Sequence, residues 1–388
     1  MIKTVRTLVL LVLAIILIGC EKMPANIIQA EAKISFPLVK TIEVIIAKKI
    51  NDMTIEEKIA QMLIISLPDR NYNNKLEELI TNFQPGGIIL STGNFYAKDQ
   101  TSALITAMQA ASEITMFIAV DQEGGSVQRL KKLKGMAITT IPTMAVVGKK
   151  NDAEYAYKIG KTIGEELFSL GINMDFAPSL DIVSNPKNQA IGDRSFGNNS
   201  KLVWEMGAQV ARGIRDSGGI AVFKHFPGHG STSDDSHTTL PVVNKTKAEL
   251  FASDLQPFIW AIEDEAEVIM IAHVSFPAVS GDKTPASLST IIITDLLRGE
   301  LGFNGIVITD ALNMSALTKH YSKKQIIVKA LQAGNDILLM PGNIASTITI
   351  IKGALDNGEI PLASIDEAVK RILWLKYKKG MLNLSYTK

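Results

Sequence analysis

Apolar residues along this chain come in short runs, separated by longer stretches in which they recur at helical spacing. Leu63–Ser66, Ile88–Leu90, Met116–Val120, Ile172–Phe176, Ile220–Phe223, Val268–Ile271, Gly305–Thr309 and Asp336–Met340 are such runs. Pieces this short, apolar without strict alternation, suit strands buried on both faces. Between them, Thr101–Ser112, Ile344–Leu355 and Leu362–Tyr377 read as helices. Thr54 followed by Glu57 forms a capping-box pair, which predicts a helix from Thr54 to about Met62. The repeated alternation predicts an α/β fold with a parallel sheet covered by helices. About eight strand candidates favour a (β/α)8 barrel of the TIM type, in a single domain; a doubly wound open sheet is the alternative, because periodicity alone does not close a sheet.

The first residues do not belong to that pattern. Lys3 and Arg6 precede an unbroken apolar run, Leu8–Ile18, which closes on Leu17-Ile18-Gly19-Cys20. Eleven residues at 1.5 Å each are too few to cross a bilayer as a helix. The segment resembles a bacterial lipoprotein leader, which implies cleavage before Cys20 and lipid attachment to its thiol. The expected organisation is a signal peptide over 1–19, a lipid-anchored tether over 20–40 and the barrel domain over 41–388. Cys20 is the one cysteine in 388 residues, so the chain has no internal disulfide and no cysteine metal site. Removing the two positive charges of Lys3 and Arg6 takes the formal charge from +1 to −1. A near-neutral chain with both signs spread along it argues against a nucleic-acid partner.

The chemistry concentrates between Phe223 and Pro241, which read Phe-Lys-His-Phe-Pro-Gly-His-Gly-Ser-Thr-Ser-Asp-Asp-Ser-His-Thr-Thr-Leu-Pro. Three of the five histidines fall here, His225, His229 and His237. A short buried strand, Ile220–Phe223, is expected to end just before Lys224 and His225, and the Gly, Pro, Ser and Thr that follow are loop residues. Asp235 and His237 stand two apart, so in an extended segment the carboxylate can hold the imidazole and tune it. That pairing suits His237 to general acid and base work near neutral pH.

Other polar residues stand where strands end. Asp121 follows Met116–Val120 and opens Asp-Gln-Glu-Gly-Gly, with Arg129 close behind; by position alone Asp121 serves equally as a helix cap or as a ligand group. Glu123 suits a structural role, pairing with nearby basic side chains. Asp175 and Asp181 read as hydrogen-bonding loop residues at a barrel mouth. Arg194, flanked by Gly192, Asp193 and Ser195, suits forked hydrogen bonding. His273 reads as buried and satisfied, and His320 as solvated. Asp310 follows Gly305–Thr309 and precedes an expected helix starting at Ala311, so capping and ligand roles are both open. The Gly124-Gly125 pair has neither Walker nor dinucleotide spacing.

Three of these stretches resemble the β-N-acetylhexosaminidase branch of glycoside hydrolase family 3. Lys224 through His237 matches its Lys-His-Phe-Pro-Gly-His-Gly-Asp-Thr pattern and following Asp-Ser-His, except that Ser231 replaces an Asp. Asp121 through Arg129 matches Asp-Gln-Glu-Gly-Gly-Arg-Val-Gln-Arg except for Ser126, and Thr309 through Met314 matches Thr-Asp-Ala-Leu-x-Met. The resemblance implies a (β/α)8 barrel and a retaining β-N-acetylglucosaminidase with Asp310 as nucleophile and the Asp235–His237 pair as acid and base. It implies that Asp121, Arg129, Arg194, Lys224 and His225 bind the sugar, and it implies no metal or organic cofactor. The expected substrate is a glycan ending in N-acetylglucosamine, from peptidoglycan or chitooligosaccharide fragments, met by an enzyme secreted and held to a bacterial membrane through Cys20. Two alternatives stand beside this: a β-glucosidase or β-xylosidase of the same family, and a lipoprotein that binds sugar without cleaving it. About 46 residues follow Pro341-Gly342, which leaves no expected room for the second domain that supplies an acid in the glucoside-cleaving relatives.

Overall fold

The computed structural model describes residues 42–232 and 239–382. Residues 42–52 are helical, and the compact unit that carries the site begins at Ile50. Its strands in chain order are β1 (Leu63–Ser66), β2 (Gly87–Ile89), β3 (Phe117–Val120), β4 (Gln122–Gly124), β5 (Val127–Gln128), β6 (Met174–Asp175), β7 (Ile220–Phe226), β8 (Val268–Ile271), β9 (Ile306–Thr309) and β10 (Leu338–Leu339). Eight of them form one sheet in the order β10-β1-β2-β3-β6-β7-β8-β9, and every pairing in it is parallel. A bridge between Ile308 and Ile337 joins the two ends of that list. The sheet therefore closes, and the open-sheet alternative falls. β4 and β5 stand apart as a small antiparallel hairpin directly after β3.

The elements form where local chemistry directs them. Thr54 caps the helix Ile55–Gln61, and the reciprocal bond to Glu57 is present, as the Thr-x-x-Glu spacing predicts. β1, β3, β8 and β9 are almost wholly apolar, and their residues are buried apart from Ser66, which is what a strand between a packed barrel interior and a helix layer requires. The helices expected at Thr101–Ser112, Ile344–Leu355 and Leu362–Tyr377 occupy Lys98–Ala110, Ile344–Asp356 and Leu362–Lys378.

Two boundaries differ from expectation, and both bear on function. β7 does not stop at Phe223; it continues to Phe226 and pairs with Ile271 of β8. Lys224 and His225 thus sit in a strand rather than a loop. Polar residues persist in this buried strand because carboxylates from neighbouring segments meet them. The pairing shifts register between Phe223 and Phe226, which breaks the strict alternation of side chains there. The helix expected from Ala311 begins instead at Ser315, after a turn over residues 311–314.

The N-terminal end of the barrel holds an unexpected group. Lys376, on the last helix, is fully buried. Its ammonium nitrogen donates to Gln61 Oε1 at 2.9 Å and to the Gly86 carbonyl at 3.1 Å, and lies 4.9 Å from the centre of the Phe117 ring. Among the described residues no carboxylate pairs with it. Burial therefore pushes its pKa down to about 7. A lysine whose folded value lies below its unfolded value of 10.5 opposes folding in full at pH below about 7. The penalty fades as pH rises toward the unfolded value, because only the unfolded chain then carries the proton. Between those limits this one residue should add up to ~1.4 kcal/mol of stability per pH unit. Urea midpoints of the wild type and Lys376→Met, measured from pH 7 to pH 9, should converge or cross as the wild type gains. Parallel curves would show that Lys376 keeps its proton in the fold.

Candidate active site

Of the residues singled out from sequence, Asp121, Arg129, Arg194, Lys224, His225 and Asp310 lie at or beyond the C-terminal ends of strands, supplied by segments far apart in the chain. Asp121 stands at the end of β3, and Glu123 lies in β4 immediately after it. Arg129 follows β5, Arg194 ends a short 3-10 turn beyond β6, Lys224 and His225 belong to β7, and Asp310 follows β9. The hairpin that carries Glu123 can turn so sharply because Gly124 and Gly125 both adopt positive φ, 108° and 55°. Gly230 serves a different end. A Cβ there would meet the Ile182 carbonyl oxygen at 2.0 Å, so the loop after β7 can lie against the loop after β6 only with glycine at this point.

An unbroken chain of alternating charges crosses the site. Arg129 approaches Asp121 Oδ2 at 3.4 Å. Asp121 Oδ1 accepts from Lys224 Nζ at 2.9 Å, and the same ammonium reaches Glu123 Oε1 at 2.6 Å. Arg194 closes on Glu123 with a two-pronged contact, Nη2 to Oε1 at 2.6 Å and Nε to Oε2 at 2.8 Å. Lys224 and Glu123 are nearly inaccessible, with side chains 2% and 3% exposed, whereas Asp121 and Arg129 keep 24% and 35%. Burial acts against the charge on Glu123, yet Arg194 and Lys224 more than offset it and hold its carboxyl far below the usual range. The structural role expected for Glu123 is therefore met. Asp121 caps no helix, since the residues after it form β4.

The hydrogen-bonding capacity left over is what a polar ligand could use. An ammonium has three donors, and Lys224 commits two of them within this chain. Arg194 commits Nε and one Nη2 hydrogen to Glu123, and gives one Nη1 hydrogen to the Ala190 carbonyl at 2.8 Å. Its fork thus organises Glu123 first, and two of its five donors remain.

Asp181 organises a second group. It is fully buried and accepts from His225 Nδ1 at 2.6 Å, from the His229 backbone N–H at 2.6 Å and from Ser179 Oγ at 2.8 Å. Burial would raise its carboxyl, but the two histidines and these donors bring it to about 2. An ionised acceptor on Nδ1 fixes the proton of His225 there, which leaves Nε2 for a ligand. Asp181 therefore positions the loop and the imidazole, in keeping with its reading as a hydrogen-bonding residue. His229 is buried, and burial lowers its pKa, so it is neutral near pH 7.

Asp175, in β6, is also buried, which its place in the sequence did not reveal. Burial first, and then the neighbouring carboxylates Asp121 and Glu123, raise its pKa well above the ordinary value despite a 2.9 Å bond from the Gln122 N–H and the nearby Lys224. That shift disfavours a third negative charge beside the other two.

Asp310 accepts from the Ala311 N–H at 2.7 Å rather than from a helix interior, so it is not the cap of the following helix. Burial would raise its carboxyl; the His273 and His225 imidazoles, that N–H and Lys224 outweigh it and hold the group below its ordinary value. An ionised carboxylate at the C-terminal end of a strand has the chemistry of a nucleophile or of a hydrogen-bond acceptor. His273 behind it is fully buried, with Nε2 at 3.0 Å from the Ala311 carbonyl and Nδ1 at 2.7 Å from Ser287 Oγ. The carbonyl can only accept, so Nε2 carries the proton. His273 is the satisfied core histidine expected of it, and it supports the turn that holds Asp310.

Asp235 and His237 lie outside the described residues. Of the two departures from the family pattern, Ser126 is exposed at the hairpin tip. The Ser231 hydroxyl is buried and has no hydrogen-bond partner among the described residues. No group of three or more His, Cys, Asp and Glu side chains among the described residues is placed to hold a metal ion.

Comparison with known proteins agrees with this arrangement. The model of the glycosyl hydrolase family 3 N-terminal domain matches residues 54–375. Beta-hexosaminidase A of Pseudoalteromonas piscicida is 35% identical over 329 residues, which cover 78% of this chain but only 55% of the relative's length. Beta-hexosaminidase LpqI of Mycobacterium tuberculosis is 31% identical over 334 residues, 82% of each chain. A solved family 3 beta-N-acetylglucosaminidase from Paenibacillus sp. superposes with a TM-score of 0.81 at 38% identity, over 87% of this chain and 65% of that one. With the family domain matched across most of its length, the chain belongs to glycosyl hydrolase family 3.

Proposed function

We propose that this protein is a retaining exo-β-N-acetylglucosaminidase, which removes terminal N-acetylglucosamine from peptidoglycan-derived or chitooligosaccharide fragments. The observation that carries the reading is the ionised Asp310 carboxylate at the end of β9, on the same barrel mouth as the Arg129–Asp121–Lys224–Glu123–Arg194 chain. The beta-hexosaminidase relatives and the beta-N-acetylglucosaminidase neighbour support it.

In this mechanism the hydroxyls of a terminal sugar bond to the exposed edges of Asp121 and Arg129, the third donor of Lys224 and Nε2 of His225. Those contacts present the anomeric carbon to Asp310. The carboxylate attacks while His237, oriented by Asp235, protonates the departing oxygen. The resulting glycosyl-enzyme is then hydrolysed by a water that gives its proton to His237, restoring the acid. Because both displacements invert, the released sugar keeps its β configuration. A protein that only bound sugar would have no use for a carboxylate held ionised by two imidazoles and an N–H.

The preferred substrate and the acid are testable together. Among nitrophenyl β-glycosides, the N-acetylglucosaminide should exceed the glucoside and the xyloside by ~10²-fold or more in kcat/KM, a gap that contacts to one substituent can provide. Preference for the glucoside or xyloside would sink the assignment. His237→Gly should nearly abolish cleavage of N,N′-diacetylchitobiose, whose leaving alcohol needs a proton. On a dinitrophenyl glycoside it should give a burst of phenolate and then a slow steady rate. Equal slowing of both substrates would remove His237 from the acid role.

The anchor belongs to the same proposal, and rests on the Leu17–Cys20 sequence after its apolar run. No helix among the described residues is long and apolar enough to cross a membrane. Cys20→Ser should abolish incorporation of a fatty-acid probe in a bacterial host. Equal labelling of wild type and variant would contradict lipidation at this residue.

A further inference from the structure

The mouth of the barrel carries a concentration of positive charge that the sugar-binding chain does not use. Directly after Arg129, the loop reads Leu-Lys-Lys-Leu-Lys. Leu130 and Leu133 are buried and anchor it, which turns Lys131, Lys132 and Lys134 outward, all three exposed. Two neighbouring loops bring Arg70 and Lys98 to the same place. The backbone pairs Lys134 with Tyr96 and Lys98, at 3.0 Å and 2.8 Å, and the Gln100 amide bonds to the Arg70 carbonyl. Tyr96, half exposed, lies between two of these cations, with Lys134 Nζ 4.8 Å and Arg70 Cζ 5.6 Å from its ring centre.

Nearby acids balance only part of this charge. None of the five basic side chains pairs with a carboxylate among the described residues. Asp69 accepts from the backbone of Arg70 and Asn71 and from the Asn73 amide, Asp99 follows Lys98 in the helix Lys98–Ala110, and Asp121 and Glu123 after β3 are taken up by Arg129, Lys224 and Arg194. The excess is local, since the whole chain carries a formal charge of only +1. An aromatic ring with a cation against it eases the repulsion of holding like charges together. The loops after β1, β2 and β3 therefore form a fixed basic rim rather than scattered surface lysines.

We propose that this rim selects substrates whose portion beyond the terminal N-acetylglucosamine is anionic, with Lys131 and Lys132 as its specificity-determining residues. The inference rests on the proposed glycosidase reading. Two residues of chain, at most about 7 Å, separate Arg129 from Lys131, so the charge begins where the sugar pocket ends. A carboxylate on the next sugar or its substituent would meet the rim while the terminal sugar is bound. A neutral chitooligosaccharide would gain nothing from it. The occupant is a soluble or wall-borne glycan rather than a bilayer, because a flat surface held against this rim would cover the mouth through which substrate enters.

The test compares N-acetylglucosaminyl-β-1,4-muramic acid, which has a carboxylate, with neutral N,N′-diacetylchitobiose, using the full chain and the double variant Lys131→Ser, Lys132→Ser. Raising salt from ~0.02 to ~0.3 M shortens the Debye length several-fold. For wild type, kcat/KM on the acidic disaccharide should fall by roughly 3–10-fold across that range, with the neutral one nearly unchanged. The variant should lose a similar factor on the acidic substrate at low salt, lose most of its salt dependence, and keep its rate on the neutral one. Equal responses of the two substrates, or no response to the substitutions, would overturn the rim's role while leaving the glycosidase reading intact. Failure to cleave either disaccharide would instead strike at that reading. Binding to vesicles of anionic lipid that the variant loses, without discrimination between the disaccharides, would assign the rim to a membrane and overturn the proposal.

Discussion

The active-site architecture depends on one buried ammonium. Lys224 has almost no contact with solvent, and it is sustained by two carboxylates, Asp121 at 2.9 Å and Glu123 at 2.6 Å. Taking a lysine out of water without partners would cost several kcal/mol, and removing one member of such a buried set leaves the others uncompensated. Each participant therefore fixes the next. Arg194 is needed to hold Glu123, Glu123 and Asp121 to hold Lys224, and Arg129 borders the exposed edge of Asp121. Burial first, and then Asp121 and Glu123 beside it, raise the pKa of Asp175 well above its ordinary value, which disfavours a further negative charge next to those two. The result is a set of mutually fixed polar groups with donors left over, the third of Lys224 and two of Arg194.

The barrel itself supplies the distances. β3, β6 and β7 are adjacent in the sheet, so Asp121 meets Lys224 and Asp181 meets His225 although long stretches of chain lie between them. Asp310 arrives from β9, two strands beyond β7, and His273 beneath it comes after β8. Asp121, Asp181 and Asp310 follow their strands, whereas Lys224 and His225 belong to the last residues of β7 itself. Lys376, at the opposite end, stays a matter of stability alone.

Much of this was legible along the sequence, for reasons that differ from residue to residue. The Thr54–Glu57 box and the apolar runs are local signals, and they located the first barrel helix and the strands to within a few residues. Asp121 and Arg194 could be singled out by their place at strand ends and between small residues. The pairings themselves could not be read, because Lys224 and Asp121 stand 103 residues apart and Lys376 and Gly86 stand 290 apart. No periodicity encodes such contacts. The strand boundary at Phe223 was misplaced for the same reason: Lys224 and His225 look like loop residues until the carboxylates that neutralise them are seen. The raised pKa of Asp175 comes from its burial and its neighbours, not from its own residue type.

The central claim is that Asp310 is the carboxylate that becomes covalently bonded to the sugar. It can be tested by treating the full chain with a 5-fluoro-N-acetylglucosaminyl fluoride, whose fluorine slows release of the glycosyl-enzyme, and mapping the adduct by tandem mass spectrometry. The account predicts one added sugar, on the peptide that contains Asp310 and at that side chain. A sugar ester on Asp121 or Glu123, or turnover to the α-configured product with no adduct, would contradict it.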